Sequence, residues 1–265
     1  AQGMDQSISD DDLHNLALRQ LSDYRENNPG TCFSDPGFSL RIKAAYDLQD
    51  AISRLRMAAG ENLIGYKVGC TGPGTTAQFG MQGPIRGTLF SGEALDNWAV
   101  IDPDEFCHLA IEGEMAFRIG IDGQIDAAFP VIELHNFVFR SAKKSLSELI
   151  ANNGLNAGIV LPDIDWQQSD KHIKESGKLS LVINDAEIGT AGLWPNQDGP
   201  GSSLKWLSSN LRDSGLSLVP GQIVLAGTSL GLYPVKSGDV VKVSIDDRLA
   251  VECKITDSHG PDSSL

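Results

Sequence analysis

The chain has 265 residues, 41% of them hydrophobic and 21% charged, a composition that supports a sizeable globular core. Acidic residues outnumber basic ones by 35 to 21, a net charge of −14 with no basic stripe, which argues against nucleic acid or an anionic membrane as a partner. No apolar run approaches the ~20 residues of a membrane span, and Ala1-Gln2-Gly3-Met4 is not a basic stretch leading into an apolar one, so no leader is expected. Residues 1–3 are set aside. Cys32, Cys70, Cys107 and Cys253 are scattered without a CxxC spacing and are expected to be free thiols in a reducing cytoplasm.

In chain order, Ser9-Asp10-Asp11-Asp12 is a capping and dipole-compatible start for a helix over 9–27, with Leu13, Leu16, Ala17, Leu21 and Tyr24 at helical spacing. Asn27-Asn28-Pro29-Gly30 stops it. A second helix is predicted over 40–59, through Leu40, Ala44, Leu48, Ile52 and Leu55, so residues 4–60 form a small helical section. The remainder, 61–256, reads as a β-rich body within a single structural unit. Residues 64–69 make a strand entering a Gly/Thr-rich turn, and a short helix over 74–80 is broken by Gly83-Pro84. Further strands are predicted over 98–101, 108–119, 124–131, 179–183, 223–226 and 240–245. Asp122-Gly123, Asn184-Asp185 and Asp246-Asp247 sit where hairpin turns belong. Helices are expected over 140–153 and 200–214. There is no internal repeat, and the polar tail 257–265 is expected to fray.

Chemistry concentrates in residues 110–119. On a strand, Glu112 and Glu114 project to one face, while Ile111, Met115, Phe117 and Ile119 supply an apolar setting. Two adjacent carboxylates there repel each other and lose hydration, a cost that a hard divalent cation removes. The other reading is a surface strand with two solvated glutamates. Glu133 is the next acid within an apolar segment and supplies either a third carboxylate ligand or an ordinary helix start. Lys67, on the strand over 64–69, is either a buried ammonium or a lysine whose stem is covered and whose head reaches water. His135 follows Glu133 by two residues; a lone histidine is more often structural than a ligand. The stretch from Gly69 to Gly74 lacks the Gly-Lys-Ser/Thr ending of a phosphate loop.

The Glu112-x-Glu114 strand, the later Pro130-x-x-Glu133-Leu134 and the upstream Gly65-Tyr66-Lys67-Val68-Gly69-x-Thr71 together resemble the 2-keto-4-pentenoate hydratase family. That family includes the related 4-oxalocrotonate decarboxylases and belongs to the fumarylacetoacetate hydrolase superfamily. The resemblance continues through Pro84 to Phe90, Ala151-Asn152-Asn153, Ile223 to Ser229, and Pro234 to Asp239, and so runs from about residue 40 onward. It implies an α+β chain with a mixed rolled β-sandwich, and Mg2+ or Mn2+ held by Glu112, Glu114 and Glu133. It also implies a catalytic role for Lys67 and a substrate-carboxylate turn at Thr228. The implied activity is a divalent-metal-dependent lyase, hydratase-like, adding water to a small 2-hydroxy-dienoic or 2-oxo-enoic acid. The alternatives are a 4-oxalocrotonate-type decarboxylase, an acylpyruvate C–C hydrolase, or a non-catalytic partner subunit of the same fold. A cytoplasmic homo-oligomer is expected, or an association with a related decarboxylase or hydratase. The chain departs from the family at three places. Ile85 stands where the hydratases carry an acid, Asn152-Asn153-Gly154-Leu155 replaces Asp-Asn-x-Ser, and the interval between Glu114 and Glu133 is short. Arg86, beside Ile85, is assigned to a second substrate carboxylate, for which a guanidinium fork is suited.

Overall fold

The computed structural model describes residues 8–71 and 80–257. The helix predicted over 74–80 and most of the polar tail fall outside those residues. Helix α1 (Asp10–Arg25) opens on Ser9, whose side chain accepts the Asp12 N–H, with three aspartates in its first turn facing the positive end of the helix dipole. Helix α2 (Ile42–Ala58) lies against it. Both match the apolar periodicity of the sequence within two residues at each end.

The strands that position the site are β1 (Leu63–Gly69), β2 (Ile85–Phe90), β5 (Leu109–Ile119), β6 (Ile125–Asn136), β7 (Asn156–Val160) and β10 (Ile223–Leu225). With β3 (Ala94–Leu95) they form a mixed sheet in the order β2-β1-β10-β5-β6-β7-β3, and β11 (Tyr233–Pro234) pairs with the start of β5. A second sheet runs β4-β13-β12-β8-β9, from β4 (Ala99–Ile101), β13 (Arg248–Ile255), β12 (Val240–Ile245), β8 (Lys178–Ile183) and β9 (Ala186–Gly192). The predicted turns close three hairpins. Asn184-Asp185 joins β8 to β9 and Asp246-Asp247 joins β12 to β13, each pair left-handed with φ between 50 and 66°. Two successive positive φ values match the twist of the flanking strands, and Asn and Asp tolerate them best after glycine.

The two sheets pack face to face over one apolar layer. Leu109, Ile111, Met115, Phe117 and Ile119 of β5 point into it and meet Leu181, Val241, Val243 and Val251. Gly113 belongs to the same face, where a Cβ would lie 2.9 Å from Val243 Cγ2. The Glu-Gly-Glu spacing thus lets the second sheet approach closely while both glutamates point to the other face. That other face is roofed by α1, α2 and a short helix α3 (Leu146–Ala151), whose Ala17, Leu48, Leu149 and Ile150 pack with Ile85 and Leu155. The expected α+β architecture with a mixed rolled sandwich is what the structure shows.

Two predicted elements change length. The strand predicted over 124–131 continues to Asn136, so Glu133 stands mid-strand rather than at a helix start. Pro130 does not end it, because Ala128 N–H, two residues earlier on the same side, points away from β5 to Ser169 O, and β7 pairing begins only at Ile132. The helix predicted over 140–153 contracts to α3: Ser145 caps it, and the Glu148 carboxylate accepts the N–H groups of Arg140 and Ser141. The predicted helix over 200–214 is present as α4 (Gly201–Asp213).

Arg86 takes a different position from the one assigned to it. On β2 it faces opposite to Ile85, with a wholly buried guanidinium. Asp50 Oδ1 on α2 accepts at 2.7 Å, Asn210 Oδ1 on α4 at 2.8 Å and Ser214 Oγ at 3.2 Å, while the Tyr46 ring lies 4.9 Å away. Its charge is already paired, so the guanidinium joins three elements and does not meet a substrate carboxylate. Asp50→Ala is expected to cost about 3–5 kcal/mol in urea unfolding, because it strands a buried cation. The paired change Asp50→Leu with Arg86→Met should recover most of that loss.

Candidate active site

Strand register brings the chemistry together. Glu112 on β5 lies directly opposite Glu133 on β6, and Ala110 lies opposite His135. Lys67 on β1 is in line with Leu225 on β10 and Ala116 on β5, which places it on the same sheet face. Lys67 Nζ lies 2.8 Å from Glu133 Oε2 and 3.2 Å from His135 Nε2, and donates to Gly154 O at 2.9 Å. His135 Nε2 is 3.4 Å from Glu133 Oε2 and 3.6 Å from Glu112 Oε1. Asn156 donates a further hydrogen bond to Glu133 Oε2 at 2.8 Å. Glu114, on the same face of β5, is buried and does not line the cavity described below. Its Oε2 accepts the Gly227 N–H at 2.9 Å, while Oε1 has no hydrogen-bond partner among the described residues.

These groups perturb one another. Burial and then the neighbouring Glu133 charge push the Glu112 carboxyl up to about 7, and the same two causes hold Glu114 well above the usual carboxylate range. Burial would also raise Glu133, but the Lys67 ammonium and the hydrogen bond from Asn156 help pull it below that range. Burial lowers His135 to about 4 against the pull of Glu133, leaving a neutral imidazole at neutral pH. Burial would lower Lys67, but Glu133 and Glu112 raise it and keep it an ammonium.

The lysine is aimed by a strained segment. Asn153, Gly154 and Leu155 are consecutive left-handed residues with φ of 60, 63 and 64°. The Asn153 amide fixes them to β2, accepting the Thr88 N–H at 2.6 Å and donating to Thr88 O at 2.8 Å. Only glycine suits position 154, where a Cβ would lie 3.0 Å from Ile85 Cδ1 and 3.2 Å from Lys67 Nζ. The turn therefore presents the Gly154 carbonyl to the ammonium and closes one wall of the site.

A cavity of about 250 Å³ opens on this cluster. Lys67, Glu112, Glu133, His135 and Thr228 line it, and the Thr228 hydroxyl also accepts the Leu230 N–H at 3.0 Å. Ile85, Phe137, Phe139, Leu149 and Leu155 also line it. A smaller cavity of about 40 Å³, beside Gln20 and Arg56, lies under the helices away from the carboxylates.

Of the residues singled out in the sequence, Lys67, Glu112, Glu133 and Thr228 line the cavity, Glu114 sits behind them and Arg86 lies elsewhere. His135 joins the cluster, and the signal for it was the two-residue spacing from Glu133 that also aligns Glu112 with Glu114. Asn153 was marked only by the resemblance, and Asn156 had no comparable signal. Glu112, Glu133 and His135 could hold a metal ion, offering ligand atoms within 4.8 Å of one another. Closely packed carboxylates, an unpartnered Glu114 oxygen and oxygen-rich donors fit a hard cation such as Mg2+ or Mn2+, with the imidazole as an added nitrogen donor.

No family model matches the chain. It is 27% identical over 219 residues to the TodF product hydratase of Pseudomonas putida, covering 77% of this chain and 80% of the relative. It is 24% identical over 229 residues to the 4-oxalocrotonate decarboxylase of a Pseudomonas species, covering 79% and 84% respectively. Its fold matches the 4-oxalocrotonate decarboxylase of Pseudomonas putida G7, solved with magnesium and adipate, at a TM-score of 0.82 and 20% identity over 95% of this chain and all of that one. The two-sheet fold is the one that decarboxylase adopts. In sequence the chain is similar to both kinds of enzyme, being also 27% identical over 222 residues to 2-keto-4-pentenoate hydratase 1 of Dechloromonas aromatica, covering 77% of this chain and 81% of the relative.

Glu133→Gln is expected to weaken Mn2+ binding by at least about tenfold in calorimetry, with the circular dichroism unchanged, because the central carboxylate charge is lost. Asn153→Ala removes both anchors of the left-handed turn. It should cost about 1–3 kcal/mol in chemical unfolding, and the remaining folded protein should turn over more slowly.

Proposed function

We propose that this chain is a divalent-metal-dependent lyase that adds water to a small 2-hydroxy-dienoic or 2-oxo-enoic acid. One observation carries the reading: Lys67 meets Glu133 at 2.8 Å within a cluster that includes Glu112 and His135, in a cavity that apolar side chains also line. Glu112, Glu133 and His135 would hold Mg2+ or Mn2+, with Glu114 as the third carboxylate behind them. The ion supplies Lewis-acid stabilisation of the negative charge that develops when a 2-oxo acid becomes an enolate.

The remaining roles belong to the chain's own groups. The Lys67 ammonium, fixed by Gly154 O, pairs with the substrate's carboxylate or enolate oxygen and can deliver a proton. Thr228, in the turn after β10, hydrogen-bonds the substrate carboxylate. The neutral His135, whose Nε2 lies 3.4 Å from Glu133 Oε2, would spend its lone pair on the ion, which leaves Lys67 as the proton carrier. The buried apolar side chains limit the water that reaches the hydrocarbon part. Ketonisation moves a proton from the 2-hydroxyl to C5, giving the 2-oxo-3-enoate. Water then adds hydroxyl at C4 and a proton at C3.

The proposal extends to a homo-oligomer in the cytoplasm. Exposed Trp98 and Val100, beside and on the edge strand β4, support self-association, and the free cysteines suit a reducing compartment. No described helix is long and apolar enough to cross a membrane.

Incubation with Mg2+ and 2-hydroxypenta-2,4-dienoate should bleach the conjugated absorbance without release of carbon dioxide. Lys67→Met should slow this by at least about a hundredfold. Carbon dioxide release from a 4-oxalocrotonate-type acid, with no hydration of the dienoate, would instead make the chain a decarboxylase.

A further inference from the structure

We infer that His135, ligating through Nε2, makes this centre select a first-row transition-metal dication such as Mn2+ or Co2+ over Mg2+. This rests on the proposed metal-dependent reading and specifies which cation the same site takes.

Strand geometry sets the imidazole among the carboxylates. His135 follows Glu133 by two residues on β6, so both side chains leave the same face of the sheet. Its register partner on β5 is Ala110, which presents only a methyl group opposite it. The ring Nε2 lies 3.4 Å from Glu133 Oε2 and 3.6 Å from Glu112 Oε1, and His135 lines the same cavity as both glutamates. One nitrogen and two carboxylate oxygens, from three residues, thus converge within 4.8 Å of one another.

Lys67 Nζ, 3.2 Å away, competes for the Nε2 lone pair. That ammonium has two other acceptors, Glu133 Oε2 at 2.8 Å and Gly154 O at 2.9 Å. It therefore stays paired when Nε2 binds a cation. Burial keeps the ring in its neutral form, the one that ligates.

The donor set then decides the metal. Glu112, Glu114 and Glu133 offer oxygen alone, and an oxygen set suits Mg2+, which dehydrates reluctantly and gains little from nitrogen. An imidazole suits cations further along the first transition row, whose affinity for such mixed sites rises from Mn2+ to Co2+. Adding His135 to the carboxylates strengthens Mn2+ and Co2+ binding more than Mg2+ binding.

Two measurements on the full chain test this without turnover: calorimetry with Mg2+, Mn2+ and Co2+, and electron spin-echo envelope modulation of the Mn2+-loaded protein. The unaltered chain should bind Mn2+ at least about tenfold more tightly than Mg2+, and Co2+ more tightly still. Bound Mn2+ should show modulation from a directly coordinated nitrogen. His135→Gln offers an amide oxygen instead; it should lose that modulation and narrow the Co2+ to Mg2+ affinity ratio by at least about tenfold. The spectrum of the unaltered chain decides the matter even where the variant does not fold. Mn2+ binding without nitrogen modulation, equal affinities for the three cations, or an unchanged ratio in folded His135→Gln would overturn the inference alone. Failure of all three cations to bind would overturn the metal-dependent reading and the inference with it.

Discussion

The site depends on one unfavourable contact. Glu112 and Glu133 lie directly opposite each other on adjacent antiparallel strands, an arrangement that is destabilising for like charges even on a wet surface. Here Glu133 is almost fully buried, and Glu114 adds a third carboxyl behind the pair. The surrounding groups offset that repulsion: Lys67 and Asn156 both reach Glu133 Oε2, and Gly227 donates its N–H to Glu114. The offset is incomplete. Glu112 and Glu114 remain pushed upward while Glu133 is held low, so the cluster has more negative potential than its own partners neutralise. A divalent cation is the addition that balances such a set, and three carboxylates with one ammonium match its charge.

Placing this cluster away from the inter-sheet core allows two incompatible demands to coexist. The inner face of β5 is wholly apolar and meets the second sheet across Gly113 and Val243. The same strand's other face carries the carboxylates. Strand alternation therefore separates the stabilising core from the costly site by a single backbone thickness. The helical layer supplies the third wall, and its attachment is specific. Gln49 on α2 donates to both Arg86 O and Ile150 O, and Asp50 on the same helix pairs with Arg86. Through this seam α2, β2 and α3 hold Ile85 and Leu149 at the cavity wall.

Much of this was legible in the sequence where local chemistry decides the outcome. Ser9 and the aspartates after it marked α1, and Asn184-Asp185 and Asp246-Asp247 marked hairpins, because caps and left-handed turns are read by adjacent residues. Glu112 and Glu114 were found by strand alternation. What alternation could not supply was register: nothing local says that Glu133 faces Glu112 rather than a position two residues away. The continuation of β6 past Pro130 was hidden for a related reason, since a proline is tolerated only where the neighbouring strand is absent. Arg86 was misplaced because its partner, Asp50, lies in a separate element and its own strand had not been assigned. Asn153 was visible only as the retained asparagine of the Asp-Asn-x-Ser segment; its role was hidden because its amide acts through a left-handed turn anchored to Thr88 on β2.

The replaced residues at 152–155 then acquire a physical meaning. The resemblance led to an expected acid and a serine in this segment, and their loss left the acid–base groups undefined. The turn instead contributes backbone: Gly154 gives its carbonyl to Lys67, and Leu155 adds an apolar side chain to the cavity wall. Hydrogen-bonding capacity moves from side chains at 152–155 to a carbonyl that cannot titrate. The ionisable groups nearest Lys67 are then Glu133 and His135, and burial affects the two nitrogen bases in unequal ways. Lys67 is held protonated by carboxylate charge, whereas His135, 3.2 Å away, is held neutral by desolvation. The cationic group that faces the cavity is therefore Lys67, held by Glu133 on one side and by a backbone carbonyl on the other.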